Sequence, residues 1–226
     1  KMPGGLEEDV KNSKIFESMD LWLIYEMNSL VDGYNQAFGD YEYNRALELL
    51  ENFFWNHFCD NYLEIVKIRC YGLDSVRYGG KNLTTEEQGR VLTSQQSALV
   101  TIYHVYNSLL KLFAPFIPVL CEEIYSCLFE EEFRAKKSLH SRGNCARVAK
   151  ITPNDDVLDV GQIVLNIVGD VRRYKSEKNI SLREKLKKLT IHSTIGLESV
   201  LEDLENVCNT ERIIVVPARE YALNFE

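Results

Sequence analysis

The sequence predicts a mainly α fold, a helical bundle followed by a small α+β region toward the C-terminal end. Three observations carry that expectation. From Asp20 to Phe129, apolar side chains recur at steps of three and four with no strand-like alternation. Two of these runs open on helix-start chemistry, Thr84 with Glu87 at capping-box spacing and Pro118 at a first-turn position. After Phe129 the texture changes, and Leu189-Thr190-Ile191-His192 and Ile213-Ile214-Val215-Val216 read as strands.

Residues 1–17 hold Pro3, Gly4 and Gly5 without firm periodicity and read as a loose lead-in; the chain opens on Lys1 rather than Met, as a fragment would. A first helix is expected from Asp20, read as its N-cap, through Trp22, Met27, Leu30 and Tyr34 to Gly39. A second runs from Tyr43 to Cys70 and stops at Gly72. Leu47, Leu50, Phe54, Phe58, Tyr62 and Ile65 form its apolar stripe, and Phe53, Trp55 and Cys59 widen it so far that neighbours should enclose this helix on several sides. Residues 72–83 form a connection. The capped third helix carries Leu92, Leu99, Tyr103, Tyr106, Leu110 and Phe113, ends at Pro115, and is followed by a short fourth helix from Val119 to Phe129. A fifth is expected from Val157 to Lys178 with Val160, Ile163, Val164, Ile167, Val171 and Tyr174 inward, then a helix near 196–206 between the two strands. The domain reading is 1–17 lead-in, 18–132 bundle, 133–156 basic connection and 157–226 small α+β region.

The 226 residues carry 45% hydrophobic and 27% charged side chains, an ordinary globular balance that excludes a disordered chain. No apolar run approaches a membrane span, so no membrane partner is expected. Six cysteines with no Cys-x-x-Cys pair read as reduced core hydrophobes in a cytoplasmic protein. No Gly-rich phosphate loop is present, since Gly79-Gly80-Lys81 is too short. His57 and Cys59 point apart on a helix, His140 and Cys145 lack further ligands, and Glu122 and Glu123 cannot face one target. No catalytic group and no metal site assembles from these residues.

Charge is the informative signal. The net charge is -8, yet residues 133–150 and 171–190 each sum to +6, leaving -20 on the remainder. Such runs most often line a solvated face; segregation on this scale also fits an acidic protein with one surface turned to a polyanion. On the fifth helix, Asp159, Asp170 and Glu177 mark one edge and Arg172 and Lys175 the other.

Four stretches together resemble a known family. Tyr43-Asn44-Arg45-Ala46 leading to Phe53-Phe54-Trp55-Asn56-His57-Phe58-Cys59-Asp60-Asn61-Tyr62-Leu63-Glu64-Ile65-Val66-Lys67 resembles the signature of the anticodon-binding bundle of valyl-tRNA synthetases, in the archaeal-type branch of that class I family. Phe113-Ala114-Pro115-Phe116-Ile117-Pro118 with Glu122-Glu123-Ile124-Tyr125 is similar to its later helix junction, Ser138-Leu139-His140-Ser141 to its hydrophobic-His segment, and Val171-Arg172-Arg173-Tyr174-Lys175-Ser176-Glu177-Lys178 to its Arg-x-x-Lys helix. The likeness spans about residues 20–190. Asp20-Leu21-Trp22 departs from the family's Asp-Arg-Trp, the usual Trp-Pro is missing near Cys145, and both activation motifs of the class are absent.

The resemblance implies the tRNA-reading part of a valine–tRNA ligase, with valine-accepting tRNA as partner, a monomeric state, ATP and magnesium for the whole enzyme and no cofactor in this part. It implies tRNA contacts from Arg172, Arg173, Lys175, Lys178, Lys187, Lys188, Arg142 and Arg147, whose cations would hold phosphates in register. Trp55, Cys59 and Asp60 are expected to pack, with Asp60 as a buried hydrogen-bonding group. Two alternatives stand beside this reading, a protein-interaction scaffold built on the same bundle and the matching region of an isoleucyl enzyme.

Overall fold

The computed structural model describes residues 6–129, 138–140 and 154–225. Helix α1 (Leu6–Lys11) lies in the expected lead-in, followed by α2 (Ser18–Gly39), α3 (Tyr43–Asn52), a π-helical segment (Phe53–Tyr62) and α4 (Leu63–Tyr71). Then come α5 (Thr85–Phe113), α6 (Pro118–Leu128), α7 (Asp155–Glu177), β1 (Leu189–Ser193), α8 (Leu201–Cys208), β2 (Ile213–Pro217) and β3 (Ala222–Phe225).

The enclosed helix is α2, not the second helix expected from the sequence. Met19, Trp22, Leu23, Ile24, Met27, Val31 and Tyr34 are all buried, and α3, α5, α7 and the π segment pack around it. Helix α3 buries only Ala46 and Leu50, so one whole side of it faces outward. Tyr34 donates to the Leu112 carbonyl at 2.8 Å and ties α2 to α5. Where α2 crosses α7, Gly161 is required by contact. A Cβ there would sit 2.0 Å from the Trp22 ring.

Local chemistry sets the helix ends as expected. Thr84 accepts from the Glu87 amide at 3.3 Å while the Glu87 carboxylate accepts from the Thr84 amide at 2.7 Å, which completes the reciprocal box. Pro118 opens α6, where its missing N–H leaves nothing unsatisfied. At the end of α4, Gly72 takes a φ of +55°, and the Gln95 amide fills the space a side chain would need while donating to the Cys70 carbonyl at 2.9 Å. Leu92 and Leu99 are exposed, contrary to expectation, because Ser97 and Thr101 take the inward positions of α5.

The lead-in also differs from its reading. Ile15 is in the core, and Asp9, wholly buried, pairs with Lys14 at 2.5 Å and with His104 at 2.9 Å. Nor is Asp20 an N-cap. It sits in the first turn of α2 and is fully buried, its carboxylate gripped bidentately by Arg69 at 2.8 and 3.0 Å. The Tyr62 hydroxyl donates to it at 2.9 Å and the Ser97 hydroxyl at 2.6 Å. Arg69 then reaches Asp203 on α8 with Nε at 2.9 Å. One guanidinium thus joins α2, α4, α5 and α8.

The sheet has the order β2-β1-β3. β1 runs parallel to β2, with Ile191 opposite Val215, through the α8 crossover that a parallel pair demands. It runs antiparallel to β3, with Ile191 opposite Leu223. Tyr174 of α7 stacks on Phe225 of β3 at a centroid distance of 4.0 Å. Core residues run without a break from Ile15 to Cys208, so bundle and α+β region share one interior. A second cluster joins Leu110, Cys121, Tyr125, Phe129 and Leu139 at the α5–α6 end.

Two predictions follow from this packing. Gly161→Ala forces α7 off Trp22, and overpacking of this kind costs about 1–3 kcal/mol; a thermal melt of the variant should fall by roughly 2–4 °C per kcal/mol for a chain of this size. The second concerns Asp203, whose carboxyl burial pushes up to about 7 against the opposing pull of Arg69. An unfolded Asp titrates near ~3.9, so the native state binds the extra proton between these values. This contribution to stability is full below about pH 4 and is lost as pH rises through about 7. Asp203→Asn should flatten that decline, read as the difference between wild-type and variant unfolding free energies from pH 4 to 8.

Candidate nucleic-acid interface

The π segment decides which side chains the second helix offers to solvent. Wider i→i+5 bonding changes the angular step per residue, so an α-helical projection loses the face beyond Phe53. Phe53, Phe58 and Tyr62 stay buried while Trp55 is 57% exposed. Trp55 is therefore not the packing residue expected from the sequence. Asp60 is not buried either; its side chain is exposed and its carbonyl is the bonding group. Cys59 is half-buried, consistent with packing.

Trp55 ends a row of exposed groups that begins at Tyr41, 79% exposed, and Tyr43. Two shallow depressions share Arg45 and Glu48, one bounded by Tyr41, Tyr43 and Asn44, the other by Asn52, Trp55 and Asn56. Arg45, Glu48, Asn52 and Trp55 follow one another at three and four residues, hence on one face. Asn56 donates to the Asn52 side-chain oxygen at 2.6 Å, and Asn61 donates to the Asn56 carbonyl at 2.6 Å, which fixes both amides. Arg45 is paired with Glu42 at 3.0 Å. Three acids, Glu42, Glu48 and Glu51, against one Arg make this face unsuitable for phosphates. Flat rings, amides and carboxylates suit unstacked base faces and donor edges instead. The spacing of Trp55 from Glu48 and Asn52 was the available signal, masked by the apolar bulk of its neighbours Phe53, Phe54 and Phe58.

The basic residues separate into three fates. Lys175 is 1% exposed and donates to the carbonyls of Leu182, Glu184 and Cys208 at 3.2, 2.8 and 3.1 Å. Burial lowers its pKa from the ordinary lysine value. The expected phosphate contact from Lys175 is corrected accordingly: its ammonium points inward and its protons are spent on the backbone. Arg172 is half-buried and donates to the Asn61 side-chain oxygen at 3.1 Å and to the Asp60 carbonyl at 2.9 Å, so α7 grips the end of the π segment. Arg173 stays exposed and pairs with Asp170 at 2.6 Å.

Lys178 and Lys187 are exposed and Lys188 half-exposed, and Arg183 and Lys185, absent from the expected set, are exposed beside them. All five lie on the connection from α7 to β1. Arg142 and Arg147, with most of the basic connecting region, fall outside the described residues.

The thiols support a packing role. Burial pushes Cys70 up to about 11 and Cys208 up to about 12, far from the thiolate range. Among the described residues no three of His, Cys, Asp and Glu gather as a metal site, and no helix is long and apolar enough to cross a membrane.

Residues 20–191 match the family described as the anticodon-binding domain of tRNA ligase. Among curated proteins, the chain is 35% identical over 215 residues to the valine–tRNA ligase of Rickettsia canadensis, covering 92% of this chain and 24% of that protein. It is 36% identical over 205 residues to that of Rickettsia prowazekii, covering 91% and 23%, and 38% identical over 200 residues to that of Rickettsia typhi, covering 88% and 22%. The chain spans about a quarter of the length of these relatives.

The exposure of Trp55 yields a direct stability test. Trp55→Ala should change unfolding free energy by no more than about 0.5 kcal/mol, whereas Trp22→Ala, at a buried ring, should cost about 3–5 kcal/mol. Chemical denaturation of the two variants side by side checks the contrast.

Proposed function

The chain belongs to the anticodon-binding domain family of tRNA ligases, and on that premise we propose that it reads the anticodon loop of a valine-accepting tRNA on behalf of a valine–tRNA ligase. The observation that carries this reading is the exposed row from Tyr41 to Trp55, a set of rings and fixed amides on a helix whose other side is core. Unpaired loop bases are recognised by stacking on aromatic rings and by hydrogen bonds to their edges. Phosphates, repelled by Glu42, Glu48 and Glu51, are held elsewhere, and the exposed cations from Lys178 to Lys187 supply that function.

In this reading the domain acts as a monomer in the cytoplasm. Amino-acid activation with ATP and magnesium is the work of the parts of the relatives that this chain does not match. The valine assignment rests on the identity of the relatives and on the run from Phe53 to Lys67.

The test is retention of tRNA by the chain in a filter assay. Valine-accepting tRNA should be held in preference to bulk tRNA; preference for isoleucine-accepting tRNA would transfer the reading to the isoleucyl enzyme, and no RNA preference would return it to a scaffold. Aromatic–base stacking is worth about 1–3 kcal/mol per base, so Trp55→Ala and Tyr43→Ala should each weaken cognate binding roughly 5- to 150-fold and narrow the gap to non-cognate tRNA. Unchanged binding by both variants would remove this face as the reader.

A further inference from the structure

A cleft of about 540 Å³ opens between the end of the π segment, α4, α7, the connection from α7 to β1 and the end of α8. Its charged lining is Lys67, Arg172, Lys175 and Arg183 against Asp60 and Glu64, a net +2 inside a chain of net charge -8. Glu64 is occupied by Lys67 at 3.1 Å. The Asp60 carbonyl and Asn61 fix the Arg172 guanidinium on one wall. On the other wall, backbone bonding is unusually complete around Arg183. Lys175 takes the carbonyls of Leu182 and Glu184, and the Asn209 amide donates to the Arg183 carbonyl at 2.7 Å. Three consecutive carbonyls are thus each held by a side-chain donor, two of them by buried Lys175, while the Arg183 side chain stays exposed at the cleft.

We propose that this cleft seats a backbone phosphodiester of the bound RNA between Arg183, Lys67 and Arg172, and that Lys175 is the positioning residue that builds the Arg183 wall. The inference rests on the anticodon-reading proposal and adds a place for the phosphate chain that the acidic base-facing row repels. Lys175 touches no RNA. Its buried ammonium substitutes for the amide donors that an irregular loop lacks, and so holds Arg183 at a fixed angle to the cleft. A phosphate carries no sequence information, so this seat adds affinity to cognate and non-cognate tRNA alike.

The experiment measures tRNA binding by the chain across a salt series, with melting of each variant recorded alongside. Arg183→Gln removes one phosphate contact and should lower the slope of log affinity against log salt by about 0.7–0.9, equally for valine-accepting and bulk tRNA. Arg219→Gln, the same charge change at an exposed position outside the cleft, should leave the slope as it was. Lys175→Met should lower the slope by a similar amount although the ammonium it removes is buried. A lowered melting point with an unchanged slope would make Lys175 merely structural. If Lys175→Met does not fold, Asn209→Ala releases the same wall without altering charge and should weaken binding at low salt; wild-type affinity in that variant would overturn the positioning role. A wild-type slope for Arg183→Gln, in a chain that still binds tRNA, would overturn the phosphate seat and leave the anticodon reading standing. Failure of the wild-type chain to bind tRNA at low salt would overturn both.

Discussion

Everything in this fold is arranged around the need to neutralise Arg69. A guanidinium only 7% exposed is tolerable only with its charge matched and its donors filled. Asp20 supplies the charge, Asp203 accepts from Nε, and the Ser94 carbonyl at 3.4 Å takes a further contact. Because these partners come from α2, α5 and α8, the ion cluster fixes where three helices stand relative to α4. Tyr62 and Ser97 add their hydroxyls to Asp20, and Ser97 also accepts from the amide of Phe16 at 3.2 Å, which brings the lead-in to the same point. Removing one ion of such a set costs about 3–5 kcal/mol, a large part of the stability of a typical domain.

With the interior fixed in this way, two outward surfaces separate by charge. The row from Tyr41 to Trp55 is aromatic, amide-rich and acidic, chemistry that welcomes bases and repels phosphates. The connection after α7 is basic, and it is shaped by Lys175, a cation the surface never sees. Arg172 bridges the two regions by holding the end of the π segment. The acidic aromatic row and the basic connection are therefore joined mechanically through one helix and kept apart electrostatically.

Much of the fold was legible in the sequence because local rules and tertiary packing agree there. The Thr84–Glu87 box, Pro118, the α7 stripe and strands β1 and β2 stand where their spacing puts them. Trp55 was hidden because its bulk reads as core, although its three- and seven-residue spacing from Asn52 and Glu48 sets it on the outward side. Asp20 reads as a cap by its position before an apolar run, and only Arg69, 49 residues away, makes it a core residue. Leu92 and Leu99 are turned outward while Ser97 takes an inward place, where its hydroxyl donates to Asp20. Counting charges could not tell Lys175 from Lys178, because the difference lies in carbonyls supplied by Leu182, Glu184 and Cys208. Strand β3 is short, and its alternation of Leu223 and Phe225 with polar residues needed β1 to give it meaning.

The salt link between Arg69 and Asp203 spans 134 residues of chain. At translation rates of about 5–20 residues per second, the ribosome makes Arg69 on the order of ten seconds before it makes the second carboxylate. Helices fold in microseconds, so the bundle assembles long before then with Asp20 as the sole anion available to that guanidinium. The nascent bundle thus holds a charge-matched Arg69–Asp20 pair whose Nε donor is left to water on the side where α8 will dock. The C-terminal region then acts as a late-arriving lock on a structure that has been waiting for it.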